Sequence, residues 1–141
     1  MVTDNATHLI AALSVRKGPS NDGPDLIPAV RQAVVHLPIA TLLGDGGFDA
    51  EKNHRVCRQE LGIRRTVIAV NTRGSKSPPP TPYRRSMATR FPRTVYRQRW
   101  QVESVFSRLK RRLGSALRAR GETTRYAECC VRVLTHDIMI L

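Results

Sequence analysis

An α/β fold follows from the way the chain alternates. Three short apolar runs, at residues 7–15, 39–43 and 66–70, have the length and flanking punctuation of buried strands. Periodicity alone leaves helix open for the first of them. Between the runs lie two segments with apolar residues at helical spacing. The order is therefore strand, helix, strand, helix, strand, as in a sheet with helices packed on it. At 141 residues the chain has room for one domain with a modest core, here taken as residues 1–141.

Asp4 and Asn5 open the first run, THLIAALSV, and residues 17–19 (KGP) close it. After the punctuation of GPSNDGPDL, Asp25 can cap a helix over residues 26–37, where Leu26, Val30, Ala33, Val34 and Leu37 form a stripe that Pro38 ends. The second run, IATLL, delivers the chain into GDGGFDAE. A strand followed at once by glycines marks close backbone approach, and Asp45 is the side chain exposed at that strand end. Asp49 then precedes a helix marked by Asn53, Val56, Cys57 and Leu61 and terminated by Gly62. The third run, TVIAV, is the clearest strand. Residues 71–92, with Pro78, Pro79, Pro80 and Pro82 among Arg73, Lys76, Arg84, Arg85 and Arg90, read as a basic, extended Pro-rich loop.

Residues 93–114 read as one long helix. Around the axis, at roughly 100° per residue, Val95, Val102, Phe106, Leu109 and Leu113 fall within an arc of about 60° and predict the core face. An adjoining strip carries Tyr96, Arg99, Glu103 and Lys110. The far side collects Arg93, Arg97, Arg108, Arg111 and Arg112. A last helix, over residues 123–141, shows Tyr126, Cys130, Val133, Leu134 and Ile138 as its stripe.

Composition narrows the function. Twenty-four Lys and Arg against eleven Asp and Glu give a net charge of +13, which points to a polyanionic partner, nucleic acid first. No apolar run approaches membrane-spanning length, and the N-terminus lacks a signal-peptide pattern, so a cytoplasmic protein without membrane contact is expected. Cys57, Cys129 and Cys130 have no C-x-x-C spacing and suit reduced structural thiols, and the four histidines have no zinc-ligand spacing. Within a polycation, two carboxylates, Asp45 at a strand end and Glu103 on a nearby helix, suit Mg²⁺ chemistry on phosphates. Taken singly, Glu103 is a salt-bridge partner of Arg99 and Asp45 a turn residue.

The spacing Tyr96-x2-Arg99-x3-Glu103-x6-Lys110 resembles the signature around the catalytic glutamate of DDE-type transposases of bacterial insertion sequences. GDGGFDAEKNH is similar to the segment bearing that family's second catalytic aspartate, and RVLTHDIMIL to its last helix; the likeness runs from about Asp4 onward. The resemblance implies a ribonuclease H-like fold with strand order 3-2-1-4-5, and transposition of DNA by end nicking and strand transfer. It implies Asp45 and Glu103 as catalytic metal ligands for Mg²⁺ or Mn²⁺, two ions in a complete site. DNA contacts would come from Tyr96, Arg99 and Lys110, joined by the basic residues Arg84, Arg85, Arg108, Arg111 and Arg112. Double-stranded DNA, as transposon ends and target, would be the partner, bound at the nucleoid. The family's first aspartate lies upstream of the segment that residues 7–15 resemble. A catalytic fold incomplete at its N-terminal side is thus expected, without its first two strands, along with oligomerisation or a complementing transposase fragment. The other expectations are a catalytically inactive basic remnant that binds nucleic acid by charge, and a small RNA-associated protein.

Overall fold

The structure, a computed structural model, describes residues 1–15, 23–72, 74 and 77–141. The closing residues 17–19 of the first run, and Arg73 and Lys76 of the Pro-rich stretch, lie outside the described residues.

The chain opens with a hairpin: β1 (Val2–Thr3) pairs antiparallel with β2 (Ile10–Ala12). Asp4 builds the turn, its Oδ2 accepting from the Thr7 amide at 2.9 Å and the Thr7 hydroxyl at 2.6 Å. The hydroxyl contact, more than any other, holds the Asp4 carboxyl below its ordinary value. His8 closes the turn at φ 65°, in the left-handed region that histidine enters more readily than β-branched residues. The strand expected over residues 7–15 is thereby shortened to three residues, because Asp4 recruits Thr7 and His8 into the turn. The same turn makes Val2 and Thr3 a strand beside β2, a pairing the apolar runs did not predict.

Helix α1 (Leu26–His36) leads to β3 (Thr41–Gly44), which pairs in parallel with β4 (Arg65–Ile68), Leu42 opposite Thr66 and Gly44 opposite Ile68. Gly44 is needed for this approach, since a Cβ there would lie 3.1 Å from Ile68 Cγ1. The crossover between the two strands is α2 (Glu51–Arg55), which widens into a π-helical turn over Val56–Glu60 and ends at Gly62, φ 67°. Leu26 and Val30 of α1 pack with Leu42, Cys57, Ile63 and Ile68 into the core. Cys57 is wholly enclosed, and burial pushes its thiol up to about 11.

The Pro-rich loop is corrected. Within residues 71–92 the chain forms α3 (Pro82–Thr89). Proline at the first turn of a helix loses no hydrogen bond and presets φ. The freed amides of that turn are taken by Glu51, whose carboxylate accepts from Tyr83 N at 3.0 Å and Arg84 N at 3.1 Å. A helix start read by itself looks like a loop when its cap comes from another element.

The glutamate-bearing helix runs as α4 (Arg93–Tyr96), a tighter 3₁₀ turn over Arg97–Arg99, and α5 (Trp100–Leu113), ending at Gly114 with φ 92°. Its core face is not centred where the apolar stripe predicts. Val105 is the fully buried residue of α5, whereas Phe106 is 46% exposed. Val105 lies about 70° around the axis from the centre of the predicted stripe, so the helix is rolled toward its Val105 and Leu109 side.

Helix α6 (Glu122–Ile138) also departs from its predicted stripe. Of that stripe Cys130 and Val133 are half-buried while Tyr126, Leu134 and Ile138 are exposed, and outside it His136 is buried and Cys129 half-buried. Polar anchors set this orientation. Arg132 donates to the carbonyls of Gly114 and Ala116, each at 2.6 Å, and Asp137 accepts from Ile10 N of β2 at 3.1 Å. No helix among the described residues is long and apolar enough to cross a membrane.

Candidate active site

A cleft of about 1250 Å³ runs between the hairpin and β3, and both carboxylates singled out by the sequence line it. Asp45 follows the last residue of β3, exposed, with its Oδ1 accepting from Gly46 N at 2.7 Å to start the 3₁₀ turn Gly46–Phe48. One oxygen thus fixes the turn. Glu103 projects from the first turn of α5, with 60% of its side chain exposed and Oε1 2.5 Å from Arg99 Nη2.

Arg99 joins the two acids electrostatically. Its guanidinium pairs with Glu103, feels the Asp45 charge, and stands 5.8 Å from the centre of the Tyr96 ring. Burial pushes the Tyr96 hydroxyl above its ordinary value; Arg99 opposes the shift and the Asp45 and Glu103 charges add to it. Tyr96 is therefore a neutral hydrogen-bond donor at neutral pH, steadied by an edge contact with Phe91 at 4.8 Å. Lys110, on the same strip, rests its ammonium 4.3 Å over the Phe106 ring at the cleft wall. The strip Tyr96, Arg99, Glu103 and Lys110 is thus brought together with Asp45 as one locality.

The remaining basic positions divide. Arg84 is engaged elsewhere: it forks onto the buried Asp49 carboxylate through Nε at 2.9 Å and Nη2 at 2.7 Å, with Asp49 also accepting from Asn71 N at 2.8 Å. Arg108 donates to His8 Nδ1 at 3.2 Å, and Arg85 uses its Nε on the Pro79 carbonyl at 3.2 Å. Arg111 and Arg112 are exposed on the last turn of α5, Arg111 at the cleft. His8 and Gln101 carried no signal in the sequence. Because guanidinium only donates, His8 Nδ1 is the acceptor and its Nε2 proton goes to Gln101 Oε1 at 2.6 Å. This ring clamps the hairpin turn onto α5, which also lines the cleft. Nothing local in sequence pairs residues 93 and 100 positions apart.

Asp45 Oδ2 and the Glu103 carboxylate are hard oxygen donors of the kind Mg²⁺ takes, one or two carboxylates with the remaining positions left to water. Their chemistry suits a single hydrated ion, and holding one would require Glu103 to give up Arg99. Among the described residues no group of three or more His, Cys, Asp or Glu side chains is placed to hold a metal ion.

A strand-end aspartate and a helical glutamate of an α/β domain thus open on one cleft, whose lining also carries Arg99, Lys110 and Arg111. The family model for the transposase DDE domain matches residues 1–138, and the chain belongs to that family, with its ribonuclease H-like fold and transposase role. No curated protein and no solved structure gives a significant match.

Proposed function

We propose that this chain carries the second aspartate and the catalytic glutamate of a DDE transposase active site and acts on double-stranded DNA by metal-dependent phosphoryl transfer, nicking transposon ends and joining them to target DNA. Asp45 and Glu103 are the catalytic carboxylates. The observation that carries this reading is that they open on one cleft, from different elements, with Arg99 and Tyr96 beside them.

Divalent ions bound there would activate the attacking oxygen and neutralise charge on the leaving one. The chain's own residues supply position and field. Arg99 holds Glu103 in place before DNA arrives and can turn its fork to a phosphate, for which bidentate geometry suits it. Tyr96 donates a neutral hydrogen bond. Lys110, Arg111, Arg112 and Arg85 form the phosphate-contacting row; Arg84 and Arg108 contribute by holding the scaffold, through Asp49 and His8.

A second reading, a basic remnant that binds DNA without cutting it, is favoured by the lack of a third carboxylate near the pair among the described residues. Incubating the pure chain with Mg²⁺ and a linear duplex bearing an element end separates the two. Nicking or strand transfer that disappears in Asp45→Asn and Glu103→Gln supports the enzyme. Binding that weakens steeply with salt, with no nicking and no effect of either substitution, supports the remnant. Stronger competition by RNA than by duplex DNA at equal salt would point away from both.

A further inference from the structure

We propose that the loop between α5 and α6, residues 114–121, is a further phosphate-contacting surface for duplex DNA, with Arg118 and Arg120 as its contacts and Glu128 as the residue that positions them. The choice of DNA as partner rests on the functional reading above; the pinning of the loop does not.

The loop is held by its main chain. Three side chains of α6 reach back along it. Arg132 donates to the carbonyls of Gly114 and Ala116, each at 2.6 Å, and Arg125 Nε donates to that of Ala119 at 3.0 Å. Glu128 Oε2 accepts from the successive amides of Arg118 and Ala119, at 3.0 and 2.9 Å, while its Oε1 pairs with Arg132 at 2.6 Å. Surface loops commonly leave such groups to water, and ordering each long side chain costs up to about 2 kcal/mol. Here the ordering secures no core, since residues 114–118 are exposed, Leu117 among them. What the pins fix is the path of the backbone that carries Arg118 and Arg120.

Glu128 binds amides and Arg132, and so leaves the neighbouring cations unneutralised. Arg111 and Arg112 on the last turn of α5 and Arg118 and Arg120 on the loop are all exposed, and none pairs with a carboxylate among the described residues. Four such guanidinium groups within residues 111–120 repel one another in the free chain, and a row of phosphates relieves that repulsion. The guanidinium fork suits phosphate geometry as well. Gly114, at φ 92°, turns the chain off the end of α5, so the loop starts about 17 Å beyond Glu103 along the helix axis. It therefore meets phosphates other than the one beside Asp45 and Glu103, and carries past the end of α5 the row that Lys110 and Arg111 begin at the cleft.

A positioned contact and a merely solvated basic surface differ in sign. If net charge alone attracts DNA, removing an acid strengthens binding. Removing the acid that positions two contacts weakens it.

The test measures binding of residues 1–141 to a duplex of about 20 base pairs by fluorescence anisotropy, from about 50 to 300 mM salt and without metal. Each phosphate contact contributes about 0.9 to the slope of log K against log salt. Arg118→Gln/Arg120→Gln should lower that slope by about 1.8 and weaken binding at least about tenfold near 0.1 M salt. Arg31→Gln/Arg55→Gln, an equal loss of charge on α1 and α2, should move the slope by less than about 0.5. Glu128→Ala should speed amide exchange at Arg118 and Ala119 and weaken binding at least about threefold, although it raises the net charge. Glu128→Gln, which keeps one acceptor oxygen for the amides, should fall between it and the unaltered chain. Equal slopes for the two double variants would overturn the proposal. So would Glu128→Ala that leaves the two amides or the affinity unchanged, or binds more tightly. Stronger binding of RNA than of duplex, dependent on Arg118 and Arg120, would give the loop another partner and overturn it too. Loss of this kind with the unaltered chain still binding duplex strikes the loop alone, whereas no salt-dependent duplex binding by the unaltered chain would overturn the DNA reading with it.

Discussion

Arg99 Nη2 lies 2.5 Å from Glu103 Oε1, one turn apart on the same helix, with 27% of the arginine and 60% of the glutamate side chain exposed. An ion pair so open to water is worth only about 0.3–0.5 kcal/mol. Glu103→Gln and Arg99→Gln should therefore each leave the urea midpoint almost unchanged, within about 0.5 kcal/mol. A loss of stability several times larger would mean that Glu103 is a structural residue.

The ion pair that matters for folding is Asp49 with Arg84. The Asp49 side chain is fully buried, and Arg84 reaches it with both Nε and Nη2. Removing one partner strands the other charge, which typically costs about 3–5 kcal/mol in buried pairs. Arg84 is 24% exposed and can recover some hydration, so Asp49→Ala should fall near the lower figure, about 3 kcal/mol. The double variant with Arg84→Ala should cost less than the two single losses added, as a denaturation cycle would show.

His54 gives the fold a pH dependence. Its ring is buried, with Nδ1 2.7 Å from the Thr66 hydroxyl, and burial, opposed by the Glu51 and Asp49 charges, lowers its pKa below 6.5. The unfolded chain takes up this proton near pH 6.5 and the folded chain only at lower pH, so below about 6.5 the unfolded state binds more protons. Stability should decline as pH falls from about 7 toward 5. His54→Gln should be less stable at pH 8 but should flatten the slope in that window, measured by urea midpoints across pH.

On α5, Val105→Ala should destabilise by about 2 kcal/mol, from lost burial plus the cavity left behind. Phe106→Ala, at a larger residue that stands 46% exposed, should cost less. The opposite ranking would mean that the helix sits as the apolar stripe alone suggests.

Much of this molecule is legible from the chain itself. The alternation of short apolar runs with helical stripes places β3, α2 and β4 within a few residues, because each is specified by local periodicity and by Gly44 to Gly47 and Gly62 at its ends. Asp45 at a strand end and Glu103 on a helix strip follow from the same local rules, and the family's spacing joins them. Helix α3 was hidden because its cap, Glu51, comes from 32 positions away. The strand expected over residues 7–15 was shortened by a turn that forms around a single side chain, Asp4.

What the sequence by itself determined is therefore the kind of elements, their order, and which side chains share a helix strip. Only the tertiary structure decided the roll of α5 onto Val105, the burial of Asp49 against Arg84, and the clamp of His8 between Gln101 and Arg108. The physical reason is the range of the interactions involved. Periodicity and caps act over a turn or two of chain, whereas helix roll and ion pairing are settled by which surfaces meet. The cleft beside Asp45 and Glu103 belongs to the second kind, since two strand edges and two helix faces border it and no one segment of the sequence outlines it.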